Sequence, residues 1–284
     1  MGKNIISVIV HTLNEEKNIR NCLESVKWAD EIILVDMYSD DATVKIAREY
    51  TDKIYFFERK GYADPARQFG LDQAAGDWLL LIDADEMVPP ALKNKLVEIA
   101  QNDLGDAVRI PHNNYFFGKH MEGARWGALQ DYHDRFVKRG FASFPAQVHT
   151  HIRIKEGARV YTIKDPGMGF VHFNYTDMEH FLRKFNQYTT IEAGNMFDAL
   201  KTPPSLWKVA LGSLREIFGR FIKHQGYKDG LQGFLLSGLM GLYPWVVHFK
   251  YRQMRRYQTK DIERNVRQEY ATLAEKIISE YHQK

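Results

Sequence analysis

Three acidic residues stand together at the end of a strongly apolar segment. Residues 79 to 86 read LLLIDADE, so that Asp83, Asp85 and Glu86 come directly after four large aliphatic residues. Neighbouring carboxylates repel one another and cost stability unless a cation, hydrogen bonds or water compensate their charge. Carboxylate oxygens are also the ligands that Mg²⁺ and Mn²⁺ prefer, and these ions bridge phosphate oxygens. Because an Asp-x-Asp triplet is common by chance, its meaning depends on the elements around it.

The first third of the chain alternates apolar segments with amphipathic patterns. The apolar segments are typical of strands buried on both faces, and they cover residues 5–10, 31–35, 53–57 and 78–82. A helical pattern follows each of them, and the first one places Ile19, Leu23 and Val26 on one face. Strands and helices that alternate at this spacing predict right-handed βαβ units, a mostly parallel sheet and therefore an α/β fold.

Polar residues follow three of these predicted strands at the point where each strand ends. Asn14 and Glu15 follow the first strand, and Asp36 ends the second. Asp83 and Asp85 follow the fourth. Because ligands bind where the carboxyl ends of parallel strands open into a crevice, we expect these side chains to line one edge of the sheet. The sequence has neither a Gly-x-Gly-x-x-Gly loop after the first strand nor a P-loop, so a diphosphate here would need a metal ion as its counter-charge.

The segments at this edge resemble those of a known enzyme family. The segments that carry the resemblance are HTLNEEKNI, VDMYSDDAT, ARQFGLDQAAGDWLLLIDADE and GFVHFNYTDMEHFLRKFNQY. In this order, and over residues 4–250, they are similar to family 2 glycosyltransferases with the GT-A fold, above all to the lipopolysaccharide-core β-glucosyltransferase subgroup. The resemblance implies a nucleotide-diphospho-sugar transferase fold, which is a Rossmann-like, mostly parallel sheet flanked by helices, followed by a helical region that docks on a membrane.

The resemblance implies that several of these residues bind the nucleotide-sugar. Asn14 and Glu15 match residues that line the nucleotide pocket, and Asp36 matches the acid that contacts uracil. Arg67 matches a basic residue near the nucleotide, and Asp41 matches the acid of the family's Asp-Gly-Thr, in which alanine replaces the glycine here. Simpler roles stay open. Asp41 could cap a helix, the charge of Glu15 could interact favourably with the positive end of its helix, and Arg67 could pair with a nearby acid.

The resemblance also implies a metal site. Asp83 and Asp85 match the Asp-x-Asp that holds Mg²⁺ or Mn²⁺ and, through the cation, the donor diphosphate; Asp83 thereby also belongs to the nucleotide-sugar site. His172 matches a histidine of a late strand that adds to the metal or diphosphate shell. The alternatives are a solvated turn for the two aspartates and a core position for His172, which lies in the apolar segment GFVHFNY.

An inverting transfer needs a base that removes the proton of the attacking hydroxyl. In the subgroup, a Trp-x-x-Asp element precedes a strand that reads Arg-Leu-Phe-Arg-Arg. The segment WGALQDYHDRFVKRG offers Asp131 for this role, with Asp134 as a competitor. His149 is a second competitor, although the family's Val-His-Glu is Val-His-Thr here and the role of the glutamate does not transfer.

The last third of the chain is strongly basic. Residues 201–260 contain eleven lysines and arginines and only two acids, which suggests an anionic partner. Residues 230–249 carry no formal charge, but they include four glycines and a proline. This pattern favours helices that lie in a membrane interface and are attracted by anionic lipid. An ordinary packed helical appendage and a membrane-spanning segment stay open, and the apolar stripe of residues 262–281 is expected to pack on the body or to pair two chains as a homodimer.

These observations predict a catalytic domain over residues 1–200 and a helical, basic, membrane-associating region over residues 201–284. Within the first domain, residues 1–105 would form the nucleotide-binding half and residues 106–200 the acceptor half. The predicted activity is an inverting, metal-dependent transfer of a sugar, with glucose as the expected one, from a UDP-sugar to a lipid-linked or lipopolysaccharide-core acceptor. We expect a cytoplasmic enzyme, peripheral on the inner face of the cell membrane, with no nucleic acid as a partner.

Two alternatives come from other functional classes. A sugar-nucleotide nucleotidyltransferase would also use a parallel sheet and metal-binding acids, but it normally has a glycine-rich basic first loop, which HTLNEEKN is not. A non-enzymatic module that binds anionic membranes is supported only by the basic C-terminal region.

Overall fold

The structure is a computed structural model, and it describes residues 3–59, 64–144 and 152–282. The chain forms two compact units, Met1–Asp177 (unit 1) and Met178–Lys284 (unit 2). The predicted boundary at residue 200 would assign the helix Met178–Asp198 to the catalytic domain. The structure groups this helix with unit 2, where Ala193 packs in one hydrophobic cluster with Val247 and Tyr251, and the domain boundary at residue 200 stays a prediction.

Unit 1 is an α/β unit. Its helices are α1 (Ile19–Val26), α2 (Thr43–Ala47), α3 (Asp64–Gln73) and α4 (Pro90–Asn102). Its strands are β1 (Ile6–Thr12), β2 (Glu31–Asp36), β3 (Ile54–Phe56), β4 (Trp78–Asp83), β5 (Glu86–Met87), β6 (Ala107–Phe116), β7 (Lys119–His120), β8 (Tyr132–Lys138), β9 (Ala142–Ser143), β10 (Arg153–Ile154), β11 (Val160–Thr162) and β12 (Phe170–Tyr175). The four strands and four helices that the sequence predicts over residues 1–102 are confirmed, with bounds that differ by at most three residues.

The main sheet has the strand order β3-β2-β1-β4-β8-β6-β12-β5. Strands β1 to β4 are parallel to one another, and β12 is parallel to β6. Strand β8 lies antiparallel between β4 and β6, a pairing that local sequence patterns do not indicate. The mixed, mostly parallel sheet confirms the predicted α/β fold class, and the insertion of β8 brings a late segment of the chain against the end of β4.

Helices cover both faces of this sheet. Val8 and Val10 of β1 pack in a cluster with Leu23 of α1. Ile9, which points the opposite way, packs in a second cluster with Leu71 of α3. Because both faces are covered, the central strands are continuously apolar rather than alternating.

The strand register aligns the carboxyl ends of β1, β2 and β4. Thr12 pairs with Asp36 across β1 and β2, and His11 pairs with Asp83 across β1 and β4. The expectation that polar residues after these strands share one edge of the sheet is therefore confirmed.

Unit 2 is helical and consists of α5 (Met178–Asp198), α6 (Leu206–Phe218), α7 (Gly230–Tyr257) and α8 (Ile262–His282). Helices α6 and α7 meet closely at Gly241, where an added Cβ would lie 2.4 Å from Ile217 and where Ser213 donates a hydrogen bond to the Gly241 carbonyl. By length and composition, the helical segment Gly226–Tyr257 could cross a membrane, and 28% of its most apolar window is buried within the protein. The apolar stripe of α8 is exposed from Tyr270 to Tyr281, and its pairing in a homodimer stays a prediction.

Candidate active site

Two arginines hold the carboxylate of Asp83, the last residue of β4. Nη2 of Arg67, on α3, donates to its oxygens at 3.0 and 2.9 Å, and Nη2 of Arg135, on β8, donates to Oδ2 at 2.9 Å. Burial raises the pKa of Asp83, but the charges of Arg135 and Arg67 outweigh it and leave this pKa well below its ordinary value. Asp83 is therefore an ionised carboxylate whose charge is compensated by protein groups.

Glu86 belongs to the same buried cluster. Its Oε2 accepts from the backbone N–H of Asp83 at 2.9 Å, and its Oε1 lies 3.0 Å from Nε2 of His112 and 4.0 Å from Nη2 of Arg135. Burial raises the pKa of Glu86, but Arg135 in particular lowers it, and the net shift is downward. Arg135 thus lies beside both Asp83 and Glu86, which explains why adjacent acids are tolerated at the end of an apolar strand.

Asp85 faces a histidine of β12 rather than an arginine. Nε2 of His172 lies 3.5 Å from Oδ2 of Asp85, and Nδ1 of His172 lies 2.8 Å from Oδ1 of Asn114, on β6. Nδ1–H of His172 donates a hydrogen bond to this amide oxygen, which directs Nε2 of the ring towards Asp85. Burial lowers the pKa of His172, but the hydrogen bond and charge of Asp85 raise it above the ordinary value.

The donor atoms of Asp85 and His172 suit a shared divalent cation. Adjacent ligands of an octahedral Mg²⁺, each about 2.1 Å from the ion, lie about 3 Å apart, close to the distance seen here. Among the described residues, no group of three or more His, Cys, Asp or Glu side chains could hold a metal. Mg²⁺ is commonly bound by one or two carboxylates and completed by substrate phosphates and water, so a site with few protein ligands fits a cation that arrives with a diphosphate. Of the three predicted metal ligands, the structure brings Asp85 and His172 together and places Asp83 against the arginines.

Asp131 lies at the start of β8, next to the same asparagine. Nδ2 of Asn114 donates to its Oδ2 at 2.8 Å, and Nε2 of His133 lies 3.0 Å from its Oδ1. Burial raises the pKa of Asp131, but His133 and then His112 lower it well below the ordinary value. The carboxylate is therefore ionised at neutral pH, which is the form that can accept a proton.

Asn114 joins the two halves of the site. It is fully buried, and its amide contacts His172 through the oxygen and Asp131 through the nitrogen. Contacts thus run in one line from Asp85 through His172 and Asn114 to Asp131. The sequence contains a weak signal of this role, since an asparagine pair stands within the strand RIPHNNYF, but the partners follow only from the pairing of β6 with β12 and β8.

The predicted nucleotide-binding residues Asn14 and Asp36 connect the loops after β1 and β2. Oδ1 and Oδ2 of Asp36 accept from the hydroxyl and the backbone N–H of Ser39 at 2.6 and 2.8 Å. Oδ1 of Asn14 accepts from the backbone N–H of Asp40 at 2.8 Å, and the backbone N–H of Asn14 donates to Ser39. Both side chains therefore determine the shape of this edge.

Asp41 and Glu15 extend the same connection. Asp41 accepts from the backbone N–H of Thr43 at 2.9 Å and from that of Glu16 at 3.1 Å, and the backbone N–H of Glu15 donates to the Thr43 hydroxyl at 2.8 Å. Thr43 is the first residue of α2 and Ala42 is its N-cap residue, so Asp41 lies one residue before the cap, and its helix-capping role stays a prediction.

The two competitors of Asp131 have different outcomes. Asp134 forms a bidentate ion pair with Arg109, with distances of 2.9 and 3.0 Å. Both oxygens of Asp134 are therefore held by Arg109, which lies opposite it where the pairing of β6 and β8 shifts register, and a role as base stays a prediction. His149 lies outside the residues that the structure describes.

The chain is similar to known glycosyltransferases. The model of the family described as "Glycosyl transferase family 2" matches residues 7–152. A lipopolysaccharide core biosynthesis glycosyltransferase, LpsC of Rhizobium meliloti (strain 1021), is 25% identical over 87% of this chain and 92% of its own length. An uncharacterized glycosyltransferase of Rickettsia bellii (strain RML369-C) is 26% identical over 82% of this chain and 81% of its own. Among solved structures, S. aureus TarS 1–349 gives a TM-score of 0.45 at 16% identity, covering 93% of this chain and 91% of that chain.

The buried cluster predicts that Arg135 is essential for stability. Arg135→Met leaves Asp83 and Glu86 without their shared cation and should lower the free energy of unfolding by about 3–5 kcal/mol. The matched control is Arg109→Met, on the neighbouring strand, whose half-exposed pair with Asp134 should be worth only about 1 kcal/mol or less. Urea denaturation of both variants and the wild type gives the comparison, and equal losses would contradict the assignment.

The same cluster predicts a pH dependence. The pKa values of Asp83 and Glu86 are lower in the folded than in the unfolded protein, so their stabilising contribution is present at neutral pH and is lost as the pH falls through the folded values. The free energy of unfolding of the wild type should therefore decrease as the pH is lowered below about 4. In Arg135→Met this decrease should be smaller, and an unchanged profile would show that Arg135 is not the cause.

Proposed function

Because the chain belongs to glycosyl transferase family 2, we propose that it transfers a sugar, with glucose as the proposed one, from a UDP-sugar to a saccharide acceptor with inversion at the anomeric carbon. The line of contacts from Asp85 through His172 and Asn114 to Asp131 carries this proposal. Its two ends would supply donor atoms for a cation and an ionised carboxylate, respectively. Membership of this family argues against both a nucleotidyltransferase and a non-enzymatic membrane-binding module.

The donor would lie along the carboxyl ends of β1, β2 and β4, so residues 1–105 would supply most of its contacts. Asp85 and His172 would hold Mg²⁺ or Mn²⁺, which neutralises charge on the departing diphosphate. Asp83 would have the further role of orienting Arg67 and Arg135, in addition to contact with the metal. The loops that Asn14, Glu15, Asp36 and Asp41 connect would form the nucleotide pocket.

Asp131 is the proposed base. It would accept the proton of the acceptor hydroxyl while the hydroxyl oxygen bonds to the anomeric carbon and the bond from that carbon to the diphosphate breaks. His133 and Asn114 orient its carboxylate and keep it ionised. Asp134 suits the role less well because Arg109 already binds both of its oxygens.

The proposal also includes the acceptor and the location. The acceptor would be lipid-linked, such as a lipopolysaccharide core, and the enzyme would be peripheral on the inner face of the cell membrane. The name of the Rhizobium relative supports the acceptor class. Helix α6 supports the proposed membrane association, because it exposes an apolar stripe at helical spacing. The stripe consists of Trp207, Leu211, Leu214 and Phe218. Lysines and arginines of residues 201–260 would add attraction to anionic lipid.

The metal site makes a prediction about donor binding. Asp85→Ala should weaken Mn²⁺-dependent UDP binding by about tenfold or more, since even changes behind the metal ligands typically cost that much in metal affinity. Asp77→Ala is the matched control, because Asp77 is an exposed acid at the opposite end of β4. Calorimetric titration with UDP, with and without Mn²⁺, measures the effect, and a panel of UDP-sugars tested for hydrolysis identifies the donor. Metal-independent UDP binding by the wild type would contradict the proposal.

The assignment of the base makes a separate prediction. Asp131→Asn should lower kcat by about 10²–10⁴-fold and leave the affinity for UDP and Mn²⁺ almost unchanged, since the base acts only in the transfer step. Asp134→Asn should retain most of the wild-type kcat. Steady-state kinetics with the identified donor and acceptor tests both, and the opposite ranking of the two variants would assign the base to Asp134.

Asn114 should behave as a positioning residue that affects both ends of the site. Asn114→Ala removes the contacts to His172 and Asp131, so we expect weaker Mn²⁺ affinity, by about 10–100-fold, together with a lower kcat. Its neighbour Asn113, which bonds to the Pro166 carbonyl and to His120, provides the control Asn113→Ala. If Asn114→Ala lowered only the unfolding temperature and left the Mn²⁺ dependence and kcat intact, its role would be structural.

A further inference from the structure

Unit 2 contains a basic cleft that the transfer reaction does not use. The last turns of α7 present His248, Arg252, Arg255 and Arg256 on one side of the helix. Together with the segment 203–206 before and at the start of α6, these side chains line a cleft of about 520 Å³. No acidic residue is among the described residues that line it. A concave surface with several cations and no acid suits an anion.

His248 is the most informative residue of this cleft. Only 6% of it is exposed, and neither ring nitrogen has a hydrogen-bond partner among the described residues. Burial and then the charge of Arg252 lower the pKa of His248, so at neutral pH its ring is uncharged and carries one N–H donor. A buried polar group without a partner costs stability, and a ligand oxygen in the cleft would supply the missing acceptor.

The amino end of α6 adds further donors. This 13-residue helix begins at Leu206 after Pro203 and Pro204, and the side chain of Ser205 caps it by accepting from the N–H of Lys208. The first N–H groups of a helix have no acceptor within the helix, and its dipole places positive partial charge there. Helix amino ends combined with arginines are a recurring arrangement for binding phosphate.

The arginines are only partly engaged by the protein. Arg255 donates to the hydroxyl of Tyr251 at 3.3 Å. The guanidinium of Arg256 lies over the ring of Tyr257 at 5.1 Å, and its Nη2 is 3.9 Å from Glu269. All three arginines are exposed, so their remaining N–H groups can reach a ligand that enters the cleft.

The surroundings of the cleft indicate where its phosphate comes from. Leu206 lines the cleft and is 54% exposed, and the next residue, Trp207, is 71% exposed and begins the apolar stripe of α6. An indole beside a phosphate site is the arrangement expected where lipid headgroups meet the acyl region. We propose that this cleft binds the phosphate of an anionic phospholipid headgroup while the stripe of α6 enters the bilayer. The inference rests on the proposed membrane association and does not depend on the transfer chemistry.

Vesicle binding by the full-length protein tests the proposal. Co-sedimentation with vesicles of phosphatidylcholine, with and without phosphatidylglycerol, should show tighter binding when phosphatidylglycerol is present. Arg252→Ala should weaken that binding about fivefold, whereas Arg264→Ala, which removes the same charge from an exposed site on α8, should leave it almost unchanged. His248→Phe should also weaken it although no charge changes, and His248→Gln, which keeps an N–H donor, should restore it.

The outcomes separate this proposal from its alternatives. Equal losses for Arg252→Ala and Arg264→Ala would mean that diffuse charge binds the membrane, and would overturn the cleft as a site. If calorimetry showed that Arg252→Ala loses binding of inorganic phosphate while vesicle binding stayed intact, the ligand would be a soluble phosphate and the lipid assignment would be wrong. UDP binding, measured on the same samples, reports the donor site independently and also shows that each variant is folded.

Discussion

The active-site half of the molecule depends on one buried cation. Arg135 lies beside Asp83 and Glu86, at the end of the most apolar strand of the sheet, and without it the buried Glu86 and the partly buried Asp83 would have too little counter-charge. Its position requires β8 to insert antiparallel between β4 and β6. The same insertion brings His133 and Asp131 to Asn114, on the neighbouring strand β6. One strand therefore supplies both the compensation of the acids and the proposed base.

The sequence predicts the parts of this site that depend on local pattern. Apolar strands that alternate with helices predict a parallel sheet, and the rule that carboxyl ends share an edge is enough to place Asn14, Asp36 and Asp83 near one another. The sequence does not identify Arg135, because an arginine within a strand is usually an exposed residue. The burial of Arg135 follows only from the non-local pairing of β8. The role of Asn114 is not predicted for the same reason, since its partners come from strands that are distant in the sequence.

Most side chains of the site are already held by other protein groups. Asp36 and Asp41 bind backbone N–H groups of their own loops, Asp83 binds arginines, and Asp131 binds His133. Such contacts fix side-chain positions before any ligand binds, which reduces the ordering that binding and catalysis would otherwise require. Asp85 differs, because its contact with Nε2 of His172 is longer, at 3.5 Å, and joins two groups that can both donate to a cation. A metal ion would thus enter where two donor atoms lie further apart than a normal hydrogen bond.

The two units contain different kinds of site. The ionised carboxylates and their arginines belong to unit 1, whereas the apolar stripe of α6 and the cleft of His248 and Arg252 belong to unit 2. In the proposed function, encounter with a lipid-linked acceptor would require sufficient affinity for the membrane surface, whereas the transfer step would require a fixed geometry around Asp131. Because different residues would determine these two properties, surface affinity could change in unit 2 without disturbing the charges that unit 1 must keep balanced.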